Sequence, residues 1–184
     1  MKLTYRKDYQ APSYKILTTH LDFTLDPHET RIVNTMSMEK IEDKPLLLNG
    51  RDDVKLVNIA LNGNILDKKD YQLVDNNLIL SDLPDKPFEL KIETIIAPAE
   101  NTRLMGLYMS NGIFCTQCEP EGFRGITYFL DHPDVMSKYT VVIHADRQKY
   151  PVLLSNGNKI QDVGNTVKFE DPTITMFLLS PSNE

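Results

Sequence analysis

A strict alternation of apolar and polar residues runs from Leu17 to Asp26 and is the strongest constraint on the fold. Because side chains in a β-strand point to opposite faces in turn, a period of two predicts a strand with one buried face. A helix would need apolar residues three and four positions apart. The predicted inward positions are Leu17, Thr19, Leu21, Phe23 and Leu25.

Similar short segments, separated by polar turns, continue along the chain. The turn at residues 26–29 predicts a hairpin between the first strand and the segment containing Ile32 and Met38, and Asn62-Gly63 is typical of another hairpin turn. Further strands are predicted over residues 45–49, 54–61, 71–74, 78–80, 88–96, 139–145, 152–154 and 174–179.

One segment, Asp131–Lys138, predicts a helix. Asp131 can cap its first turn, Pro133 fits its start, and Asp134 suits its positive end. One short helix among many strands predicts an all-β fold of curved antiparallel sheets or a β-sandwich. A chain of 184 residues with 41% hydrophobic residues is the size of a single domain.

The charge pattern excludes some partners. The chain has 20 basic and 26 acidic residues, and the basic ones are scattered. Phosphate binding needs a concentrated positive face, so we expect no nucleic-acid partner. No apolar run is long enough to span a bilayer, and the first residues lack the apolar core of a signal peptide. We therefore expect a cytoplasmic protein with no membrane partner.

Residues able to do chemistry are few. The four histidines, His20, His28, His132 and His144, lack the spacing of a helical zinc pair, so we expect no metal site. His20 and His144 fall in the polar phase of their strands and are expected to be plain surface residues. There is no Gly-x-Ser-x-Gly elbow or phosphate-binding glycine loop. The sequence thus predicts no catalytic residue.

The two cysteines, Cys115 and Cys118, allow more than one interpretation. A single Cys-x-x-Cys could be a redox pair or half of a zinc site, but it has no partner pair elsewhere in the chain. Two reduced thiols in a β segment are the favoured interpretation.

The segment from Asn101 to Asp134 departs from the strand pattern and is dense in Gly, Cys, Glu and aromatic residues. Chemically varied loops on a β scaffold often carry binding functions. It could equally be a long connection held by a structural pair between Glu121 and Arg124. Periodicity alone leaves both interpretations open.

Several motifs in this chain resemble the aminopeptidase N family of zinc exopeptidases, especially the bacterial alanyl aminopeptidases. They include residues 5–12, Gly106-Leu107-Tyr108, residues 115–124 (CTQCEPEGFR), residues 128–135 (YFLDHPDV) and residues 154–158 (LSNGN). The resemblance implies that residues 1–184 form a single amino-terminal β domain of a longer aminopeptidase, whose catalytic zinc domain is absent from this chain.

By the same resemblance, Gln117 and Glu119 would hold the free amino group of a peptide substrate. A carboxylate and an amide oxygen can both accept hydrogen bonds from an ammonium. Zinc would be the cofactor of the parent enzyme, bound outside this chain. The expected partners are a peptide N-terminus and the enzyme's own catalytic domain, and the isolated chain would be inactive.

Two other functions remain open from the sequence. The chain could be a free-standing β-sandwich module that binds a peptide or another protein, or a purely structural domain. A module should bind its partner alone, whereas a fragment should expose the apolar face that met its catalytic domain.

Overall fold

The computed structural model describes residues 9–174, without the side chains of residues 172–174. This part of the chain forms thirteen strands and two short 3₁₀ turns, at Pro98–Glu100 and Phe123–Gly125, and contains no α-helix. The all-β prediction is confirmed. The strands are β1 (Tyr14–Thr24), β2 (Thr30–Lys40), β3 (Leu46–Leu48), β4 (Lys55–Leu61), β5 (Asn64–Ile65), β6 (Tyr71–Val74), β7 (Asn77–Leu80), β8 (Phe88–Ile96), β9 (Gly106–Ser110), β10 (Ile113–Gln117), β11 (Ser137–His144), β12 (Asn158–Val163) and β13 (Thr166–Ile174).

Eight of these strands form the main sheet, in the order β12-β13-β11-β1-β2-β8-β4-β5. Its neighbouring strands are antiparallel except for β1 and β11, which run parallel, with Thr18 opposite Lys138. A three-stranded sheet has the order β3-β7-β6, and β9 pairs with β10 in a separate hairpin. The Asn111-Gly112 turn of this hairpin has the two positive φ angles that a tight two-residue turn requires.

The hydrophobic core is one cluster, to which the main sheet, the three-stranded sheet and the hairpin all contribute. The alternation predicted for β1 holds at Thr19, Leu21 and Phe23, which are all buried. It fails at Leu17, which is half-buried, while Ile16 is only 1% exposed. The reason is a register shift against β2 between Ile16 and Thr18, since a bulge reverses the faces beyond it.

The helix predicted over Asp131–Lys138 is wrong. Residues 133 and 134 form a turn, and β11 begins at Ser137. Val135, Ser137 and Tyr139 are buried in alternation, so the period of a strand governs this segment. The Asp131 carboxylate caps no helix because it accepts hydrogen bonds from Arg124 instead.

The strand predicted over residues 152–154 is wrong, because Val152 makes only a single bridge pairing. The strand predicted over residues 174–179 lies outside the described residues, except for Ile174, which belongs to β13. In the described range, no helix is long and apolar enough to cross a membrane.

Candidate functional site

The sequence-predicted site lies in a tight turn after β10. Gln117 is the last residue of that strand, and the N–H of Gly122 donates to the carbonyl of Cys118 at 3.0 Å. A Cβ on Gly122 would lie 2.4 Å from the Gln117 carbonyl oxygen and 2.7 Å from the Cys118 Cα. Glu121 has a φ of +60°, in the left-handed region. The backbone of the turn is therefore tightly closed at Gly122, with no room for a side chain there.

Aromatic packing fixes the base of this turn in the core. Phe123 is 5% exposed, and its ring centroid lies 4.5 Å from that of Phe129 and 6.4 Å from that of Tyr139. Such tilted and edge-on contacts between rings add to the free energy gained by burying them. The first residue after the turn is thus held by side chains from two later segments.

Buried polar side chains of the main sheet hold the chain just beyond the turn. On β8, the Thr94 hydroxyl donates to the Ile126 carbonyl at 3.1 Å. On β2, the Asn34 amide donates to the Tyr128 carbonyl at 3.4 Å. Both side chains are fully buried, where a polar group without a partner is costly. These bonds tie the loop segment to the centre of the sheet.

An ion pair joins the turn to the segment that follows it. The backbone N–H and Nε of Arg124 donate to Asp131 Oδ2 at 3.0 and 2.8 Å, and its Nη2 donates to the Asp131 carbonyl at 3.0 Å. The Asp131 N–H in turn donates to Asn49 Oδ1 at 3.3 Å. The pair between Glu121 and Arg124, one of the two interpretations of this segment, is also present, with Glu121 Oε1 3.4 Å from Arg124 Nη2.

A cleft of about 350 Å³ opens beside the turn. Its lining residues are Cys118, Glu119, Pro120, Glu121, Asp131, His132 and Pro133.

The two sequence-predicted residues lie together at this cleft, Glu119 in its lining and Gln117 beside it. Gln117 Nε2 donates to the Glu119 carbonyl at 2.7 Å, which leaves its Oε1 as a free acceptor in the described structure. The Glu119 side chain is exposed, and its carboxylate has no hydrogen bond or ion pair to any residue between 9 and 174. Glu119 is thus available to an incoming cation.

Both cysteines are free thiols in the structure. Cys115 lies on β10, and Cys118 is the first residue after it. Burial, with the negative charge of Asp131 adding to it, raises the pKa of the Cys118 thiol to about 12. Burial also raises the pKa of Cys115. Because the thiolate is the reactive form, neither cysteine is an activated nucleophile.

His20 and His144 lie in the less buried phase of their strands, as predicted, but both are only partly exposed. His20 is half-buried, and this burial lowers its pKa. His144 Nδ1 lies 2.8 Å from the Thr166 hydroxyl, and its Nε2 lies 3.3 Å from the Asp22 carboxylate. In the described part of the chain, no group of three or more His, Cys, Asp or Glu residues could hold a metal ion.

Sequence reasoning missed the Arg124–Asp131 ion pair and the support from Asn49, which lies 82 positions from Asp131. No local sequence pattern predicts the contact between Asn49 and Asp131. The hairpin that presents the turn did leave a sequence signal, the Asn111-Gly112 dipeptide.

Residues 13–178 match the family model described as Peptidase M1 N-terminal domain. The chain is 48% identical over 155 residues to aminopeptidase N of Caulobacter vibrioides, covering 83% of this chain and 18% of that protein. It is 43% identical over 175 residues to aminopeptidase N of Escherichia coli, covering 91% of this chain and 20% of that protein. The chain therefore spans about a fifth of the length of these curated relatives.

Solved structures share the same architecture. Legionella pneumophila aminopeptidase A in complex with aspartic acid superposes with a TM-score of 0.86 at 29% identity, covering 96% of this chain and 22% of that one. Native yeast LTA4 hydrolase, at 18% identity and a TM-score of 0.73 over 91% of this chain and 29% of its own, shows the shared fold alone. The chain belongs to the Peptidase M1 N-terminal domain family, as its motifs predict.

Proposed function

We propose that this chain is the substrate-anchoring domain of a zinc aminopeptidase that removes N-terminal residues from peptides, with Gln117 and Glu119 holding the free amino group. Family membership supports the parent activity. The observation that carries the anchoring role is the exposed Glu119 carboxylate, which is unpaired among the described residues and lies on a turn tightly closed at Gly122.

A peptide ammonium matches the two acceptors at the turn. It offers three N–H donors, and its hydrogen bonds to a carboxylate are charge-assisted and therefore strong. The amide oxygen of Gln117 adds a neutral acceptor, because the Gln117 nitrogen is already bonded to the backbone. An internal peptide segment has no ammonium, so it would leave Glu119 unsatisfied. Selection for the first residue of a peptide follows from this difference.

Zinc does not fit the described residues of this chain, which contain no group of three metal ligands. In the proposed enzyme, the metal ligands and the general base belong to the catalytic domain, and this chain alone has no peptidase activity. The catalytic domain is thus the proposed partner of this domain.

The anchoring role is tested by Glu119→Gln in the full gene product that contains this chain. Loss of a hydrogen bond to a charged group costs about 1.5–3 kcal/mol, which corresponds to a fall of about 10- to 150-fold in kcat/KM for an alanyl chromogenic amide. Glu121→Gln removes the same charge from a side chain that already faces Arg124, and we expect a loss of at most about threefold. Unchanged kinetics for Glu119→Gln would refute the anchoring role.

The parent activity is tested by comparing the 184-residue chain with the full gene product, each with and without zinc. Hydrolysis by the zinc-loaded full product alone supports the proposal. Hydrolysis by the 184-residue chain refutes the claim that this domain is inactive alone. If neither protein cleaves the amide, the free-standing binding module becomes the better hypothesis, to be followed by peptide-binding measurements.

A further inference from the structure

The cleft beside the turn contains three carboxylates, on Glu119, Glu121 and Asp131, and Arg124 lies next to it. We propose that Asp131 is a positioning residue that keeps Arg124 away from Glu119, so that Glu119 remains the uncompensated carboxylate and selects a cationic group. This inference rests on the proposed function and identifies what makes the anchor specific for a positive charge.

The geometry holds Arg124 on the Asp131 side of the cleft. Arg124 donates three hydrogen bonds to this one residue, two to the carboxylate and one to the carbonyl. Asp131 is itself held by Asn49, which also exchanges two backbone hydrogen bonds with Phe129 at 2.7 and 3.0 Å. The position of the guanidinium is therefore set by the core and not by the exposed turn.

The ion pair between Arg124 and Asp131 is mostly buried, which strengthens the interaction between the two charges. The side chains of Arg124 and Asp131 are 21% and 12% exposed, so solvent screens their charges only partly. Removing one partner of a poorly exposed ion pair leaves the other charge uncompensated, which is strongly unfavourable. Glu121 already lies 3.4 Å away, two positions from Glu119. Without the Asp131 charge, the positive charge of Arg124 would move toward the anchor and compete with the substrate ammonium.

The test uses Asp131→Asn in the full gene product. Asparagine keeps an oxygen acceptor for the Arg124 backbone N–H but removes the charge. We expect the KM for an alanyl amide to rise about fivefold or more, with kcat changed less than about twofold, because ground-state binding of the ammonium is weakened. An unchanged KM would overturn the inference.

A double variant separates charge from structure. In Arg124→Gln/Asp131→Asn the freed guanidinium is gone as well, so we expect KM to return to within about twofold of the unmodified enzyme. If the pair were needed only to hold the fold, the double variant would be at least as impaired as Asp131→Asn. That result would refute the positioning role.

Arg124→Gln alone provides a second test, which does not require Asp131→Asn to fold. It leaves Asp131 and Glu121 uncompensated, so the cleft becomes more negative and the KM for a cationic substrate should stay level or fall. A rise in KM would count against the inference.

The Glu119→Gln variant distinguishes failure of this inference from failure of the proposed function. If Glu119→Gln has no effect, the anchoring role itself is wrong. If Glu119→Gln is impaired but Asp131→Asn leaves KM unchanged, only the role of Asp131 is wrong.

Discussion

Replacing Gly122 with alanine should distort the turn that carries the proposed anchor residues, Gln117 and Glu119. Gly122 has φ −94° and ψ −21°, which alanine adopts freely, so the effect is purely steric. Ordinary contact begins at 3.4 Å, whereas the added Cβ would lie 2.4 Å from the Gln117 carbonyl oxygen, so these atoms must separate by about 1 Å. The obstructing atoms are backbone and cannot rotate away. Overpacking of this kind costs about 2–3 kcal/mol.

Two measurements check this prediction. Urea unfolding of the 184-residue chain should show a loss of about 2–3 kcal/mol in the free energy of unfolding. In the full gene product, kcat/KM should fall about 100-fold, because a displacement of about 1 Å in a positioning group has an effect of that size. The second effect distinguishes a displaced anchor from a general loss of stability.

Gly112→Ala is the matched control, at the opposite end of the same hairpin. A Cβ there meets no atom within 4 Å, but its φ is +79°. We therefore expect a cost of about 1 kcal/mol from the backbone conformation and no change in kcat/KM. The steric reasoning is refuted if Gly122→Ala changes the unfolding free energy by less than about 0.5 kcal/mol and leaves kcat/KM intact.

Two further predictions concern the core and the sheet. Phe114 is fully buried on β10, and its ring centroid lies 5.0 Å from that of Tyr150. Phe114→Ala should therefore lower the free energy of unfolding by about 3–5 kcal/mol, measured by urea unfolding. A loss below about 1 kcal/mol would contradict that packing. Burial lowers the pKa of His20 in the folded state below its unfolded value of 6.5. The stability that neutral His20 contributes is therefore complete above pH 6.5 and is lost as pH falls through the folded-state pKa. His20→Gln should therefore reduce the loss of urea stability between pH 7.5 and pH 5, and an identical pH dependence in both proteins would show that His20 does not contribute.

Where an element depends on local pattern, the sequence predicted it well. The strands β1, β8 and β11 follow from period-two alternation, and the Asn62-Gly63 turn has two positive φ angles, as the hairpin signal requires. The bulge near Leu17 could not be found this way, because it depends on pairing with β2. Local pattern thus predicts which segments are strands, but not where their registers shift.

The helix predicted over Asp131–Lys138 shows how tertiary contacts override local preference. A capping residue, a proline and an acidic first turn were all present, yet the Asp131 carboxylate bonds Arg124 and the chain enters β11. Burying Val135, Ser137 and Tyr139 on one face stabilises the strand beyond what capping could offer a short helix. The local signal was present, but a nonlocal contact used the same side chain.

The family resemblance identified Gln117 and Glu119 as candidate site residues. The structure shows how Glu119 differs from the neighbouring carboxylates, because only Glu119 has no partner among the described residues. Glu121 and Asp131 carry the same charge in the same cleft, but both face Arg124. No spacing rule distinguishes a paired carboxylate from an unpaired one, because the pairing depends on how distant segments come together. The supports at Asn34, Asn49 and Thr94 were hidden for the same reason.

The parallel pairing of β1 with β11 has a consequence for the order in which the chain can fold during synthesis. Thr18 pairs with Lys138, about 120 positions later, so one edge of β1 has no neighbour until most of the domain has left the ribosome. At about 5–20 residues per second, that interval lasts roughly 6–24 s. During this time β1, β2 and β8 can assemble, while the open edge of β1 is exposed to association with other nascent chains. When β11 emerges it covers this edge of β1, and the open edge of the sheet passes to β11 until β13 pairs with it.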